Sequence, residues 1–286
     1  MVRTRLDGAG QTVVLDSQGP LVVIGERINP SGRKRLAAAL AQGGMSMVRQ
    51  EAIAQVAAGA RVIDVNVGAV GVDEGEILPL AVQTVAEAVE VPICIDTSRH
   101  AALAAALAVC PGRPLVNSVT GEEASLASVL PLVKERDCAV IGLCINDEGV
   151  PKDAQGRLEI AQKIIDRAER LGIAREDVII DPLATAIGAD DRAALVTLEA
   201  ISLVRASLGV NITYGGSNVS FGLPDRNLIN ASFLAMAVAL GVTCAIVDPL
   251  DVDIRKAVAA CDLLMGRDEY AGRFLKRSRA GWPREG

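Results

Sequence analysis

The chain has 286 residues, of which 50% are hydrophobic and only 2% aromatic, and its formal net charge is -6. That length suits one large domain whose core is filled by Ala, Val, Leu and Ile. No apolar run of about 20 residues is free of charge, residues 1–20 lack an apolar signal-peptide core, and no basic block precedes Arg273, Lys276, Arg277 and Arg279. A membrane span, a secretion signal and a nucleic-acid partner are therefore not expected.

Strand one reads Leu21 to Gly25, and a loop with Pro30, Ser31 and Gly32 leads to the first helix. Strand two is Arg61 to Val65. Its helix, Ile77 to Val89, has apolar residues at 77, 78, 81, 82, 85, 88 and 89, a helical period. Pro92 to Ile95 is strand three, with a helix from Ala101 to Val109. Leu115-Val116 opens a short strand four, and a helix follows over Leu126 to Lys134. Ala139 to Leu143 is strand five, and the amphipathic Leu158 to Arg170 is stopped by Gly172. Val178 to Ile180 is strand six, and Asp190 or Asp191 is expected to cap a long helix ending near Gly209. Asn211 to Tyr214 is strand seven, and Leu228 to Leu240 is a helix stopped by Gly241. Cys244 to Val247 is strand eight, and Ile254 to Leu264 is the last helix.

Eight apolar runs without polar alternation, each followed by a helix, predict βαβ units and a parallel sheet buried on both faces. Eight such units make an α/β fold, a single (β/α)8 TIM barrel. An open doubly wound sheet usually carries a GxGxxG turn after its first strand; here the turn is Gly25-Glu26-Arg27-Ile28-Asn29. The expected organisation is an N-terminal extension over 1–20, the barrel over 21–265 and a tail over 266–286.

In such a barrel the strand ends converge on one mouth, where catalytic residues reside. Asp64, Asn66, Asp96, Asn117, Asn146, Asp181, Asn218 and Asp248 stand at those ends. Asp96 and Asp181 can each accept two parallel N–H bonds from an amidine-like edge, or cap the helix that follows. Asn side chains both donate and accept, or bond their own loops. Asp248-Pro249 reads best as a turn. Asn218 follows Gly215-Gly216, where glycines let backbone approach a ligand closely. His100, the one histidine, begins a helix, so neither a Ser-His-Asp triad nor a histidine metal cluster is expected. None of the six lysines stands at a strand end, and no glycine-rich phosphate cradle follows strands seven and eight. The six cysteines form no CxxC pair and read as buried, reduced thiols in a cytoplasmic protein.

Nine motifs stand in order from about residue 21 to 275: Gly25-Glu26-Arg27-Ile28-Asn29, Asp64-Val65-Asn66-Val67-Gly68, Ile95-Asp96-Thr97-Ser98, Val116-Asn117-Ser118, Ile141-Gly142-Leu143, Gly149-Val150-Pro151-Lys152-Asp153, Ile180-Asp181-Pro182-Leu183, Ser217-Asn218-Val219-Ser220 and Asn227-Leu228-Ile229-Asn230. Together they resemble the methyltetrahydrofolate:corrinoid methyltransferases, part of the pterin-binding superfamily that includes dihydropteroate synthase. The resemblance implies a barrel that holds tetrahydrofolate or 5-methyltetrahydrofolate as substrate. By the same resemblance Asp96, Asn117 and Asp181 bond the pterin, Asp64 and Asn66 line its floor, and Asn218 reaches N5 as the catalytic residue. Arg226 is placed near the glutamyl tail or the corrinoid face, and Glu26 and Asn29 belong to the substrate-binding set without a defined role.

The implied reaction moves a methyl group between N5 and the cobalt of a corrinoid. No AspXHisXXGly cobalamin signature is present, so the corrinoid is expected on a partner protein, and a homodimer is expected as in the family. The direction is open, with methyl transfer to folate in catabolic one-carbon metabolism as the leading expectation. A dihydropteroate synthase-like enzyme remains an alternative, although strand eight ends Asp248-Pro249-Leu250-Asp251 without the Arg and His such an enzyme needs. A non-catalytic folate-binding subunit of a methyltransferase complex is the other alternative.

Overall fold

A computed structural model describes residues 2–282. Met1 and residues 283–286, the outer ends of the two expected extensions, lie outside the described residues. The chain begins with two strands, β1 (Arg3–Asp7) and β2 (Thr12–Asp16), paired antiparallel. Seven parallel strands follow: β3 (Val22–Ile28), β4 (Val62–Val65), β5 (Ile93–Asp96), β6 (Leu115–Thr120), β7 (Ala139–Leu143), β8 (Val178–Asp181) and β9 (Cys244–Val247). They form one sheet in the order β8-β7-β6-β5-β4-β3-β9. The helices between them are α1 (Lys34–Ala41), α2 (Ser46–Ala58), α3 (Glu74–Ala88), α4 (His100–Val109), α5 (Glu123–Glu135), α6 (Ala154–Arg170), α7 (Ala193–Leu208), α8 (Arg226–Leu240) and α9 (Val252–Leu264). A last helix, α10 (Gly272–Ala280), lies in the expected tail.

The expected strand seven is the one stave that is not a regular strand. Residues 211–216 nevertheless close the barrel, because Ile212 bridges Ile180 of β8 and Gly215 bridges Ile246 of β9, both parallel. On one side Thr213 N–H donates to Ile180 O at 2.9 Å; on the other Ile246 N–H donates to Tyr214 O at 3.0 Å. Gly215 and Gly216 are part of this pairing, since Gly216 N–H donates to Ile246 O at 2.8 Å. Gly216 lies so close to β9 that a Cβ there would stand 2.5 Å from Val247 Cγ1.

Two apolar layers result. One lies between the strands and the surrounding helices, with Leu36, Leu78, Val85, Leu130, Ile164 and Ile201 fully buried in it. The other fills the barrel, with Ile24, Val62, Cys94, Leu115, Ile141, Ile179 and Cys244 pointing inward. Leu6, Val13 and Leu15 of the hairpin belong to this inner layer. The hairpin thus plugs the end of the barrel opposite the mouth, a role its sequence did not disclose. Asn211 pins the closing stave to it by donating to Thr4 Oγ1 at 2.9 Å and to Leu15 O at 3.1 Å.

Local signals account for some helix ends. Asp73, Asp153 and Asp251 cap α3, α6 and α9 by accepting backbone N–H bonds. Gly209 ends α7 with φ of 64°. Two expectations are corrected. Two helices rather than one follow the first barrel strand, because Gly43-Gly44 breaks the run between α1 and α2. Asp190 and Asp191 do not cap α7: Asp190 turns its own loop by accepting from Arg192 N at 2.9 Å, and the helix starts after Arg192 without a side-chain cap. The hairpin plug makes a direct prediction. Leu15→Ala, which empties a fully buried position of the inner layer, should lower unfolding free energy by about 2–5 kcal/mol in chemical denaturation.

Candidate active site

The parallel register brings the strand-end residues together. Asp96 at the end of β5 pairs with Asn117 on β6, and Leu143 on β7 pairs with Asp181 at the end of β8. Asn66 Nδ2 donates to Asp96 Oδ2 at 2.9 Å, and Asn117 Nδ2 donates to Asp64 Oδ1 at 3.2 Å. Asp64, Asn66, Asp96 and Asn117 therefore form two hydrogen-bonded pairs at the ends of β4, β5 and β6, the floor of the mouth. Asp181 faces it from β8, with Oδ1 accepting from Leu183 N at 2.7 Å.

Asp64 and Asp181 are almost wholly buried. Among the described residues no lysine or arginine makes an ion pair with Asp64, Asp96 or Asp181. Desolvation without a paired cation disfavours the charged form. Burial pushes Asp181 up to about 7 and Asp96 to about 6, with the Asn66 bond opposing it at Asp96. Asp64 is raised well above its usual range by burial and by neighbouring Asp96. A buried carboxyl set held by amides accepts a neutral, N–H-rich planar edge well, because each carboxylate oxygen takes N–H bonds without a net charge entering the site.

Opposite the floor, Gly215-Gly216 carries Ser217 and Asn218. A Cβ on Gly215 would stand 2.8 Å from Asn218 Nδ2, so glycine is what lets the Asn218 carboxamide fold back over the chain. Asn218 is exposed, and among the described residues its carboxamide bonds no other group. Ser217 Oγ donates to Glu26 Oε1, tying this loop to the end of β3. Glu26 is pushed up to about 7, by burial first and by Asp248 in the same direction. Arg226, the first residue of α8, is exposed and donates to Ser217 O at 2.7 Å and Ser220 Oγ at 3.0 Å. A cavity of about 340 Å³ opens beside this cluster, lined by Glu26, Ser217, Arg226, Asn230 and Asp248 among others.

Not every strand-end residue points into the site. Asn29 Oδ1 accepts from Ser31 N at 2.9 Å, and Asn146 Oδ1 from Glu148 N at 3.0 Å, so both oxygens turn their own loops. Asp248 turns its loop through Leu250 N, as its Asp-Pro start implied, and also takes Arg27 Nη1 at 2.7 Å. His100 begins α4 and meets Ser128 Oγ at 2.8 Å, away from the floor. Among the described residues no His, Cys, Asp and Glu grouping could hold a metal ion.

Arg157 supports the site and was missed. It is buried on α6 and donates to Pro182 O at 2.9 Å and Leu183 O at 2.6 Å, holding the loop after Asp181 while Leu183 sits at φ of 65°. The signal was present, since Arg157 falls on the same face as Ala161, Ile164 and Ala168. An arginine on an apolar stripe needs acceptors inside the fold.

Residues 25–248 match the family model described as pterin binding enzyme. The chain belongs to the pterin-binding enzymes. Within that family it is 32% identical over 267 residues to the methylcorrinoid:tetrahydrofolate methyltransferase of Eubacterium limosum, which spans 91% of this chain and 97% of that protein. It is also 32% identical over 240 residues to the methionine synthase of Mycobacterium tuberculosis (strain ATCC 25618 / H37Rv), but that match takes in 79% of this chain and only 20% of the synthase. The fold resembles that of a Xanthomonas albilineans dihydropteroate synthase solved with 4-aminobenzoic acid, with a TM-score of 0.70 at 20% identity over 94% of this chain and 99% of that one. At such identity the likeness establishes the barrel fold alone.

The raised carboxyls of this pterin-binding enzyme have a consequence for stability. A carboxyl raised in the fold keeps a proton that the unfolded chain releases near 3.8, so stability falls as pH climbs from about 4 to about 7. Asp181→Asn removes that loss. Its melting temperature without ligand should exceed wild type at about pH 8 and converge with it below about pH 4, as read by scanning calorimetry. Gly215→Ala, by contrast, should leave melting little changed while displacing Asn218, visible as an altered mouth in a crystal structure.

Proposed function

We propose that the protein transfers a methyl group between a corrinoid and N5 of tetrahydrofolate. The observation that carries this reading is the set of strand-end carboxyls, the buried Asp64 and Asp181 and the half-buried Asp96, of which Asn117 bonds Asp64 and Asn66 bonds Asp96, and none of which has an ion-pair partner among the described residues. A pterin offers the ring N–H and amino groups that such a floor lacks. In this reading Asp96, Asn117 and Asp181 bond the pterin edge, and Asp64 and Asn66 hold the floor beneath it. Asn218 faces N5, where a carboxamide can accept from a protonated N5 or donate to an unprotonated one. Stabilising charge that develops only in the transition state is what would raise the rate.

Arg226 and Glu26 line the neighbouring cavity, which suits contact with the rest of the folate; Asn29 acts by shaping its loop. A corrinoid supplies the cobalt centre that gives or takes the methyl group. We place it on a separate partner protein that docks at the rim, where Phe221 and Leu228, after Asn218 in the chain, have 69% and 67% of their surface exposed. The name of the Eubacterium limosum relative puts the methyl group on the corrinoid and makes tetrahydrofolate its acceptor. We take the same direction here, in catabolic one-carbon metabolism. A homodimer fits Leu195 and Met236, exposed on α7 and α8, which pack side by side. The six free, buried cysteines fit a reducing cytoplasm.

The test mixes the protein with methylcob(III)alamin and tetrahydrofolate and follows the methyl-cobalt absorption band. Loss of the band, abolished in Asp181→Ala, is expected; no loss despite folate binding with any corrinoid carrier would refute the reading. Asn218→Ala should bind folate within about threefold of wild type yet transfer methyl roughly 10²–10³-fold more slowly. Tetrahydrofolate affinity should weaken as pH falls through about 7 and then 6, because Asp181 and Asp96 must be ionised to accept from the pterin. Calorimetric titration at several pH values reads this directly.

A further inference from the structure

Methyl transfer to N5 moves a proton as well as a carbon. When N5 of tetrahydrofolate takes a methyl group, its lone pair forms the new N–C bond and the carbon–cobalt pair stays on cobalt. The proton that N5 carried must then leave. Returning the methyl group to cobalt breaks the N–C bond, leaves its pair on N5 and requires one proton back. Asn218 cannot store that proton, since a carboxamide does not titrate near neutral pH. His100 is bonded to Ser128 at the start of α4 and does not face the site. Asp64, Asp96 and Asp181 are committed to the pterin in the reading above.

Glu26 lines the neighbouring cavity and is not among the groups that bond the pterin. Glu26 ends the regular part of β3 and accepts a hydrogen bond from Ser217, the residue that precedes Asn218 in the chain. Arg226 holds the same segment by donating to Ser217 O. Glu26 also lines the cavity beside the mouth, a route to bulk water. Asn230 Oδ1, buried in the wall of that cavity, bonds no protein group and is free to accept from water there.

Resting on the methyltransferase reading, we propose that Glu26 is the proton reservoir for N5, exchanging its proton with the folate across the Ser217–Asn218 segment and with solvent through the adjacent cavity. The charged groups around Glu26 suit this. Asp248 beyond β9 raises its proton affinity, while Arg226 on α8 and Arg27 on β3 lower it. Arg27 is itself committed to Glu51 on α2 and to Asp248. Asp64 on β4 and Tyr214 on the closing stave both feel the charge of Glu26. With burial dominating, the carboxyl titrates at about 7, where it can both take and return a proton at neutral pH.

The test compares wild type with Glu26→Gln, Glu26→Asp and Ser217→Ala, using tetrahydrofolate with methylcob(III)alamin and 5-methyltetrahydrofolate with cob(I)alamin. Wild-type transfer to folate should accelerate as pH rises through about 7, and the reverse reaction should slow over the same range. Glu26→Gln should lose roughly 10²-fold at saturating folate in both directions and lose that pH limb, with the calorimetric Kd for tetrahydrofolate within about threefold of wild type. Glu26→Asp should recover part of the rate and keep the limb. Ser217→Ala, which leaves the charge in place but cuts the link to the loop, should slow transfer without abolishing the Glu26 titration seen by carbon-13 NMR of glutamate-labelled protein. That titration, absent from Glu26→Gln, is read without any corrinoid. A Glu26→Gln protein with wild-type rate and pH profile, or one whose only change is weaker folate binding, overturns the reservoir alone. A wild-type protein that binds folate but moves no methyl group in either mixture overturns the methyltransferase reading and the reservoir with it.

Discussion

Closure of the barrel by residues 211–216 is the constraint on which the site depends. This stave pairs only briefly with β8 and β9, so its position is set at both ends by other groups. At the end opposite the mouth, Asn211 is bonded to Thr4 and to Leu15 O of the N-terminal hairpin. At the mouth, Ser217, directly after Gly215-Gly216, reaches Glu26. The hairpin, far from the mouth in space, thereby helps fix where Asn218 stands.

The floor of the mouth trades stability for binding. Carboxyls buried without an ion-paired cation cost folding free energy in their charged form, which amide bonds, the Cys94 thiol at Asp64 and the charge of Arg157 at Asp181 offset only in part. The same lack of compensation leaves acceptor capacity for a ligand. Arg157 carries the complementary burden: its guanidinium is buried so that the loop after Asp181 keeps its shape, and backbone carbonyls take its donors in place of water.

Ser217 stands between two kinds of chemistry. Its backbone precedes the carboxamide of Asn218, and its hydroxyl meets a carboxyl that titrates near neutrality. Glu26 lies on β3 and Ser217 just after the closing stave, and these neighbour β9 on opposite sides, so only the curled sheet brings them together. Arg27, one residue on, reinforces that seam by joining Glu51 of α2 to Asp248 after β9.

Much of this protein was legible locally. Continuous apolar runs such as Ile93 to Ile95 and helical periods such as that over 77–89 depend on neighbours a few residues apart, so the barrel and its strand-end Asp and Asn residues could be read directly. The hairpin was not legible, because Leu6, Val13 and Leu15 are too few to announce a plug and are meaningful only beneath a closed barrel. Nor could local pattern separate Asn66 and Asn117, whose amide nitrogens bond carboxyls across the floor, from Asn29 and Asn146, which only turn their own loops, since Asn66 Oδ1 turns its loop in the same way through Gly68 N. The sequence by itself determined the strands, the helices and the chemistry gathered at the strand ends, since periodicity and residue type are local properties. Only the tertiary structure decided which carboxyls are desolvated, which amides hold them and that Ser217 meets Glu26, because burial and contacts across 191 residues of chain exist only once the sheet has closed.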